Sequence, residues 1–86
     1  MSHWAEEVLD EYAEEQKLQG VTVTGSYDPT GRVLSVRFTQ GAKVESGELS
    51  VGDLEDMTVL GTDSPIYVRR SSLNTQLMLL GMRLGF

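Results

Sequence analysis

The most regular chemical pattern in the sequence is a group of carboxylates within its first fifteen residues. At helical spacing they fall into two neighbouring rows, Glu6, Asp10 and Glu14, and Glu7, Glu11 and Glu15. Like charges four residues apart on a helix repel by about 0.2–0.5 kcal/mol per pair, and Lys17 is the cation nearest to them in sequence. Such rows are typical either of a solubilising surface or of a negative surface that docks a basic protein. The second interpretation predicts partner binding through these six residues.

Apolar residues dominate the C-terminal segment, for which two interpretations stay open. One helical stripe consists of Leu73, Leu77, Leu80 and Leu84. Met78 and Met82 fall on nearly the opposite side, so the predicted helix is apolar almost all round, which is typical of a core or interface helix. In the first interpretation the helix is the central core element. In the second, Met78, Met82 and Phe86 project outward and form an oligomer interface with a second copy.

A short basic segment, Arg69-Arg70-Ser71-Ser72, precedes this predicted helix. Two guanidinium groups and two hydroxyls before a helix start predict a weak anion-binding site at Arg69 and Arg70. The alternative is that these arginines pair with acids of the first helix or of residues 45–56. At a net charge of −6 the ion-pair interpretation is favoured.

The residues needed for most catalytic and metal chemistry are missing from this sequence. It contains no cysteine and a single histidine, His3, which we expect to be solvent-exposed at a frayed terminus. A nucleophile elbow, a phosphate-binding lysine loop and a zinc-binding helix motif are all absent. A calcium loop beginning at Asp53 fails because its central position, 58, is threonine instead of glycine. We therefore expect a non-enzymatic protein with no cofactor and no metal site.

Size and charge limit the remaining classes of function. Eighty-six residues predict one domain, residues 1–86, with too small a core for high stability. The net charge of −6 argues against direct nucleic-acid binding. The acidic N-terminus is unlike a signal peptide, and no apolar run approaches the ~18 residues of a membrane span. We expect no membrane contact and a cytoplasmic location.

In the first half of the chain, the hydrophobic pattern predicts a helix followed by a hairpin. The helix covers residues 3–18, with Ser2 as its N-cap. Alternating residues predict two strands within 21–39, joined by a turn in which Gly31 takes the left-handed position. A further strand is expected near 42–45.

The second half of the chain has weaker signals. Residues 46–56 match no element, and 57–60 are predicted as a short strand. The segment 62–65 is predicted as a turn and 66–69 as a strand. A final helix is predicted over about 72–80, capped by Ser71 or Ser72, with 81–86 left open.

Together these patterns predict an α+β fold with an N-terminal helix, an antiparallel sheet of three to five strands and an apolar C-terminal helix. Both helices are expected on one face of the sheet. The predicted function is that of a small acidic binding protein, of the inhibitor, immunity or adaptor type, whose first helix docks a basic partner. The alternative is a self-assembling homo-oligomeric subunit that associates through its apolar C-terminal segment.

Overall fold

The computed structural model describes residues 3–59, 61–63 and 65–86. The helices in this part of the chain are α1 (Trp4–Lys17), α2 (Val51–Asp56) and α3 (Ile66–Arg83). The strands are β1 (Thr22–Asp28), β2 (Val33–Gln40), β3 (Lys43–Ser50), β4 (Thr58–Val59) and β5 (Thr62–Asp63). β1, β2 and β3 form one antiparallel sheet in that order, and β4 pairs with β5 in a separate ladder. The predicted α+β architecture is confirmed.

The β1–β2 hairpin forms because apolar and polar residues alternate along both strands. Leu34, Val36 and Phe38 of β2 are buried, whereas Ser35 and Arg37 between them are exposed. All seven residues of β1 pair with β2. The hairpin predicted from the alternation is therefore confirmed, and its polar face is open to solvent.

The turn between β1 and β2 differs in detail from the prediction. The Asp28 Oδ1 atom accepts the amide of Thr30 at 3.0 Å, which closes the turn. The left-handed residue is Arg32, with a φ of 54°, and not Gly31 as predicted. This backbone conformation is strained for a residue with a side chain. It is held because the Arg32 carbonyl accepts two amides at the start of α2, at 2.9 and 3.0 Å.

Two glycines allow both long helices to approach the same face of the sheet. Gly25, Val36 and Gly47 lie side by side in register, so their side-chain positions point to one face. A Cβ atom at Gly25 would collide with the Ser35 carbonyl oxygen of β2 and would also lie 2.9 Å from the Cδ2 atom of Leu9 in α1. A Cβ atom at Gly47 would lie 2.8 Å from the Cδ1 atom of Leu80 in α3. The predicted placement of both helices on one face is confirmed.

The core lies between this sheet face and the helices. Tyr12 of α1 and Phe38 of β2 pack in a T-shaped arrangement, with 6.4 Å between the ring centroids. The buried apolar residues are Ala5, Val8, Leu9, Tyr12, Val21, Val23, Leu34, Val36, Phe38, Val51, Leu54, Leu73, Leu77 and Leu80. Because α1, the sheet and α3 all contribute, the core fixes the two helices relative to each other.

The first helix begins at Trp4, one residue later than predicted, and its N-cap is His3. The Nδ1 atom of His3 accepts the amide of Ala5 at 3.1 Å, and the Glu6 carboxylate accepts the His3 amide at 3.4 Å. Ser2, the predicted cap, lies outside the described residues. Histidine is an infrequent cap, so the sequence alone favoured the serine.

The last helix begins earlier and ends later than predicted. The segment predicted as a strand, 66–69, forms the first turn of α3, and Pro65 is the N-cap. The β-branched Ile66 and Val68 favoured a strand, whereas the fixed φ of proline suits the residue that starts a helix. The helix then continues through Gly81 to Arg83.

The apolar character predicted for the C-terminal helix is not confirmed, because the early start adds the polar segment 69–72 to α3. In the ranges described above, no helix combines the length and hydropathy required to cross a bilayer. The expected cytoplasmic location stays a prediction.

Residues 43–60 also depart from the prediction. The strand expected near 42–45 extends through position 50, and the unassigned stretch contains α2, whose N-cap Ser50 accepts the Asp53 amide at 3.3 Å. The strand predicted over 57–60 is observed at Thr58–Val59, and Leu60 lies outside the described residues. Of the predicted turn at 62–65, residues 62 and 63 form β5, and Ser64 is likewise outside the description.

Candidate functional site

The helix α1 has a buried apolar side and an exposed acidic side. Ala5, Val8, Leu9 and Tyr12 are buried against β1 and α3. The exposed carboxylates, called the acidic face below, are Glu7, Asp10, Glu11, Glu14 and Glu15. Glu6, the sixth residue of the predicted partner-binding set, is half-buried and bonds to the His3 amide instead. Five of the six predicted carboxylates are therefore exposed to solvent.

One arginine of α3 lies next to the acidic face. The Arg70 Nη2 atom donates to the Glu11 Oε1 atom at 2.8 Å, and Nη1 lies 3.9 Å from the Glu7 Oε2 atom. The Arg70 side chain is half-buried, whereas the two carboxylates are more exposed. Arg70 is thus engaged by carboxylates, as the ion-pair interpretation of the basic segment expected. Arg69, the other residue of the predicted anion site, is half-buried beside it in α3.

The outer side of α3 exposes large apolar residues. Leu73, Leu77 and Leu80 point into the core, so residues on the far side of the helix face solvent. Met78, Leu79 and Met82, called the apolar face below, are 48%, 54% and 66% exposed. These fractions are high enough for a partner to bury substantial apolar area here.

Phe86, the third residue of the predicted oligomer interface, lies elsewhere. Its ring stacks on Phe38 of the core, with 5.5 Å between the centroids. The Nζ atom of Lys43 lies 4.6 Å from the centre of the Phe86 ring and donates to the Gly85 carbonyl at 2.8 Å. The structure therefore brings Met78 and Met82 together on the outer side of α3 and separates Phe86 from them.

A groove of about 290 Å³ runs between α1 and α3. It is lined on the α1 side by Val8, Glu11 and Glu15 and on the α3 side by Arg70, Ser71 and Asn74. Its α1 wall belongs to the acidic face. On α3, Met78 lies one helical turn beyond the groove residue Asn74. The groove is therefore bounded by the acidic face on the α1 side, and Met78 of the apolar face follows its last α3 residue by one turn.

A hydrogen-bonded network centred on Arg32 was not found by sequence reasoning. The Arg32 guanidinium donates to Glu55 at 3.1 Å and to both carboxylate oxygens of Asp56 at 3.1 and 3.2 Å. The Trp4 indole donates to the other oxygen of Glu55 at 3.0 Å. The Trp4 hydrogen bond, supported by Arg32, lowers the pKa of Glu55 although burial opposes this shift. This network joins α1, the β1–β2 turn and α2.

His3 belongs to the same network and is not the frayed, exposed residue that we expected. Its ring stacks on Tyr27, with 3.8 Å between the centroids, and its Nε2 atom lies 3.5 Å from a Glu55 carboxylate oxygen. The Nδ1 atom serves the helix cap. Since both ring nitrogens have partners within the fold, His3 acts here as a structural residue.

The open face of the sheet forms a shallow concavity of about 640 Å³. Its polar side chains are Thr24, Ser26, Ser35, Arg37, Ser46 and Glu48. None of these hydroxyls lies beside a histidine, so the concavity has no nucleophile–histidine pair. Within the part of the chain that the structure describes, no three His, Asp or Glu residues are grouped closely enough to hold a metal ion.

Comparison of the chain with family models, characterised proteins and solved structures found no match. Function must therefore be inferred from the surface chemistry of the chain itself. The two surfaces with the most distinctive chemistry are the acidic face of α1 and the apolar face of α3.

Proposed function

We propose that this chain is a non-enzymatic binding domain, of the inhibitor, immunity or adaptor type, that docks a basic surface of another protein. The acidic face of α1 is its contact surface. The observation that supports this most directly is the exposure of five carboxylates on one helix, of which Glu7 and Glu11 lie beside Arg70. A basic partner removes the repulsion between these carboxylates.

The expected binding is electrostatically steered. Exposed ion pairs contribute about 0–1 kcal/mol each, so several must act together to give a useful affinity. A concentrated negative field raises the association rate toward a positive surface, and salt screens it over about 8–10 Å. We therefore expect affinity for the partner to fall steeply as the salt concentration rises.

The test compares two variants with the same change in net charge. In the first, Asp10→Lys/Glu14→Lys reverses two carboxylates of the acidic face. In the second, Glu45→Lys/Glu48→Lys reverses two exposed carboxylates of β3. Each variant and the wild type are immobilised, and proteins captured from the native host's extract are quantified by mass spectrometry. A specific partner is expected with the wild type and the β3 variant and is lost with the α1 variant. Equal capture by all three would contradict the proposal.

A second candidate function is self-assembly through α3, favoured by the exposure of Met78 and Met82. Burying such side chains against a second copy contributes about 1.5–3 kcal/mol each. Light scattering of the purified chain tests it. Under this candidate the wild type is a dimer or larger oligomer, and Met78→Glu/Met82→Glu is a monomer. A monomeric wild type at high concentration would rule it out.

A further inference from the structure

The acidic face and the apolar face lie on the same side of the molecule. α1 and α3 pack on one face of the sheet, with Leu9 over Gly25 and Leu80 over Gly47. Residues opposite these buried leucines point away from the sheet on both helices. The exposed carboxylates of α1 and the exposed methionines of α3 thus face the same side of the molecule. The interhelical groove is lined by Glu11 and Glu15 on the α1 side, and its last α3 residue, Asn74, lies one turn before Met78.

This surface is long enough to hold a helix. Ser71 and Asn74 line the groove, and Met78 and Met82 continue the same line along α3 in steps of one turn. At a helical rise of about 1.5 Å per residue, the line from Ser71 to Met82 is about 17 Å long. Three turns of a bound helix have about this length.

We propose that the surface formed by α1 and α3 binds a basic amphipathic helix of another protein. The apolar side of that helix packs on Met78 and Met82, and its lysines and arginines face the acidic face of α1. The inference rests on the proposed function, because it assigns a structure to the basic partner.

Charge complementarity selects this occupant over others. An amphipathic helix with a basic side matches both neighbouring surfaces at once. A second copy of the chain, docked through the same surface, would bring two acidic faces, each with five exposed carboxylates, near each other. A wholly apolar partner would take carboxylates such as Glu11 and Glu15 out of water without pairing them. Methionine side chains adapt to partners of different shape, which suits a helix-binding surface.

Arg70 acts as an internal competitor in this arrangement. Its guanidinium occupies the positions beside Glu7 and Glu11 that a partner's cation would take. Removing it in Arg70→Ala frees both carboxylates at the edge of the groove. Because exposed ion pairs are weak, the expected gain in affinity for the basic helix is about two- to fivefold.

The direct experiment uses the purified full chain and fluorescein-labelled peptides of about 18 residues, followed by fluorescence anisotropy. One peptide places lysines and leucines on opposite sides of a helix. A scrambled peptide has the same composition but no amphipathic pattern. We expect the amphipathic peptide to bind at least about tenfold more tightly than the scrambled one and to gain helical circular dichroism on binding.

Variants of the chain locate the contact. Met78→Glu/Met82→Glu should weaken binding of the amphipathic peptide by about tenfold or more. Val44→Glu, which changes a similarly exposed apolar residue on β3, is the matched control and should change it by less than about twofold. Arg70→Ala should tighten binding. Far-UV circular dichroism and thermal unfolding verify that each variant is folded.

The contrary outcomes separate failure of the helix-binding inference from failure of the proposed function. Equal binding of the two peptides means that charge alone is recognised, so the helix-binding inference fails while the proposed basic partner stands. Absence of binding to either basic peptide overturns both. A wild-type dimer that Met78→Glu/Met82→Glu dissociates shows that a second copy covers the apolar face, and this also overturns the inference.

Discussion

The contact between Gly47 and Leu80 decides how α3 is seated and therefore which of its residues face outward. In Gly47→Ala the new methyl group would lie 2.8 Å from Leu80 Cδ1 and 3.3 Å from Cδ2. Overpacking of this kind destabilises proteins by about 1–3 kcal/mol. The intrinsic preference of a strand for alanine over glycine, about 0.5–1 kcal/mol, offsets only part of this cost.

The size of the effect can be isolated with a double-mutant cycle. Leu80 is 2% exposed, and Leu80→Ala alone should cost about 2–5 kcal/mol. The three heavy atoms nearest to the Gly47 methyl position all belong to Leu80. Once the leucine is truncated, the added methyl group has room. We therefore expect the double variant to be more stable than the sum of the single effects by at least about 1 kcal/mol.

Urea unfolding followed by circular dichroism measures the four free energies of this cycle. Ser46→Ala, at an exposed neighbouring position of β3, is a control for strand propensity and should change stability by less than about 0.5 kcal/mol. If the effects of Gly47→Ala and Leu80→Ala add within about 0.5 kcal/mol, the two residues are not in contact. The assignment of Met78 and Met82 to the outer side of α3 would then be unsupported.

Three further predictions concern the Arg32 network and the apolar face. Because the pKa of Glu55 is lowered in the fold, its ionised form adds stability above the ordinary glutamate pKa of about 4.3, and this is lost as pH falls through the lower folded value. Glu55→Gln should therefore be less stable at pH 7 and lose less stability between pH 7 and pH 3 than the wild type; an unchanged acid response in urea unfolding would contradict this. Arg32→Gly should unfold at a higher temperature than Arg32→Ala, because both lose the ion pairs but glycine relieves the φ of 54°; the reverse order would refute a left-handed Arg32. Met78→Glu/Met82→Glu should change the free energy of unfolding by less than about 1 kcal/mol, since both residues are at least 48% exposed; a larger loss would place them in the core.

The elements predicted correctly are those whose signals are local in sequence. The alternation of Leu34, Val36 and Phe38 with polar residues is enough to identify β2 and its buried side. The same holds for the apolar stripe of α1. Sequence reasoning did not assign residues 46–50 to a strand, because glycine has a low strand propensity and Gly47 lies in this segment. The reason for a glycine at position 47 is visible only in the structure, where Leu80 of α3 packs on it. The strand predicted at 66–69 was wrong because local β propensity favoured the opposite state.

In the candidate site, too, the features with a local sequence signal could be predicted, and those that depend on tertiary packing could not. Helical spacing alone identifies the acidic rows and places Met78 and Met82 on the side opposite the leucines, whereas only the structure shows that both are exposed. That the carboxylates and the methionines face the same side of the molecule depends on how α1 and α3 pack on the sheet, which no local pattern specifies. The Arg32 network joins Trp4 and Glu55, residues 51 positions apart, and so was also beyond local reasoning.

The most direct test of the proposed function is the affinity of charge-matched variants for the labelled amphipathic basic peptide. Asp10→Lys/Glu14→Lys should weaken binding by about tenfold or more, because it reverses two carboxylates of the acidic face. Glu45→Lys/Glu48→Lys, with the same net charge, should stay within about threefold of the wild type, since its changes lie on β3. Equal weakening in both variants would show that net charge alone determines binding and would contradict a specific docking surface on α1.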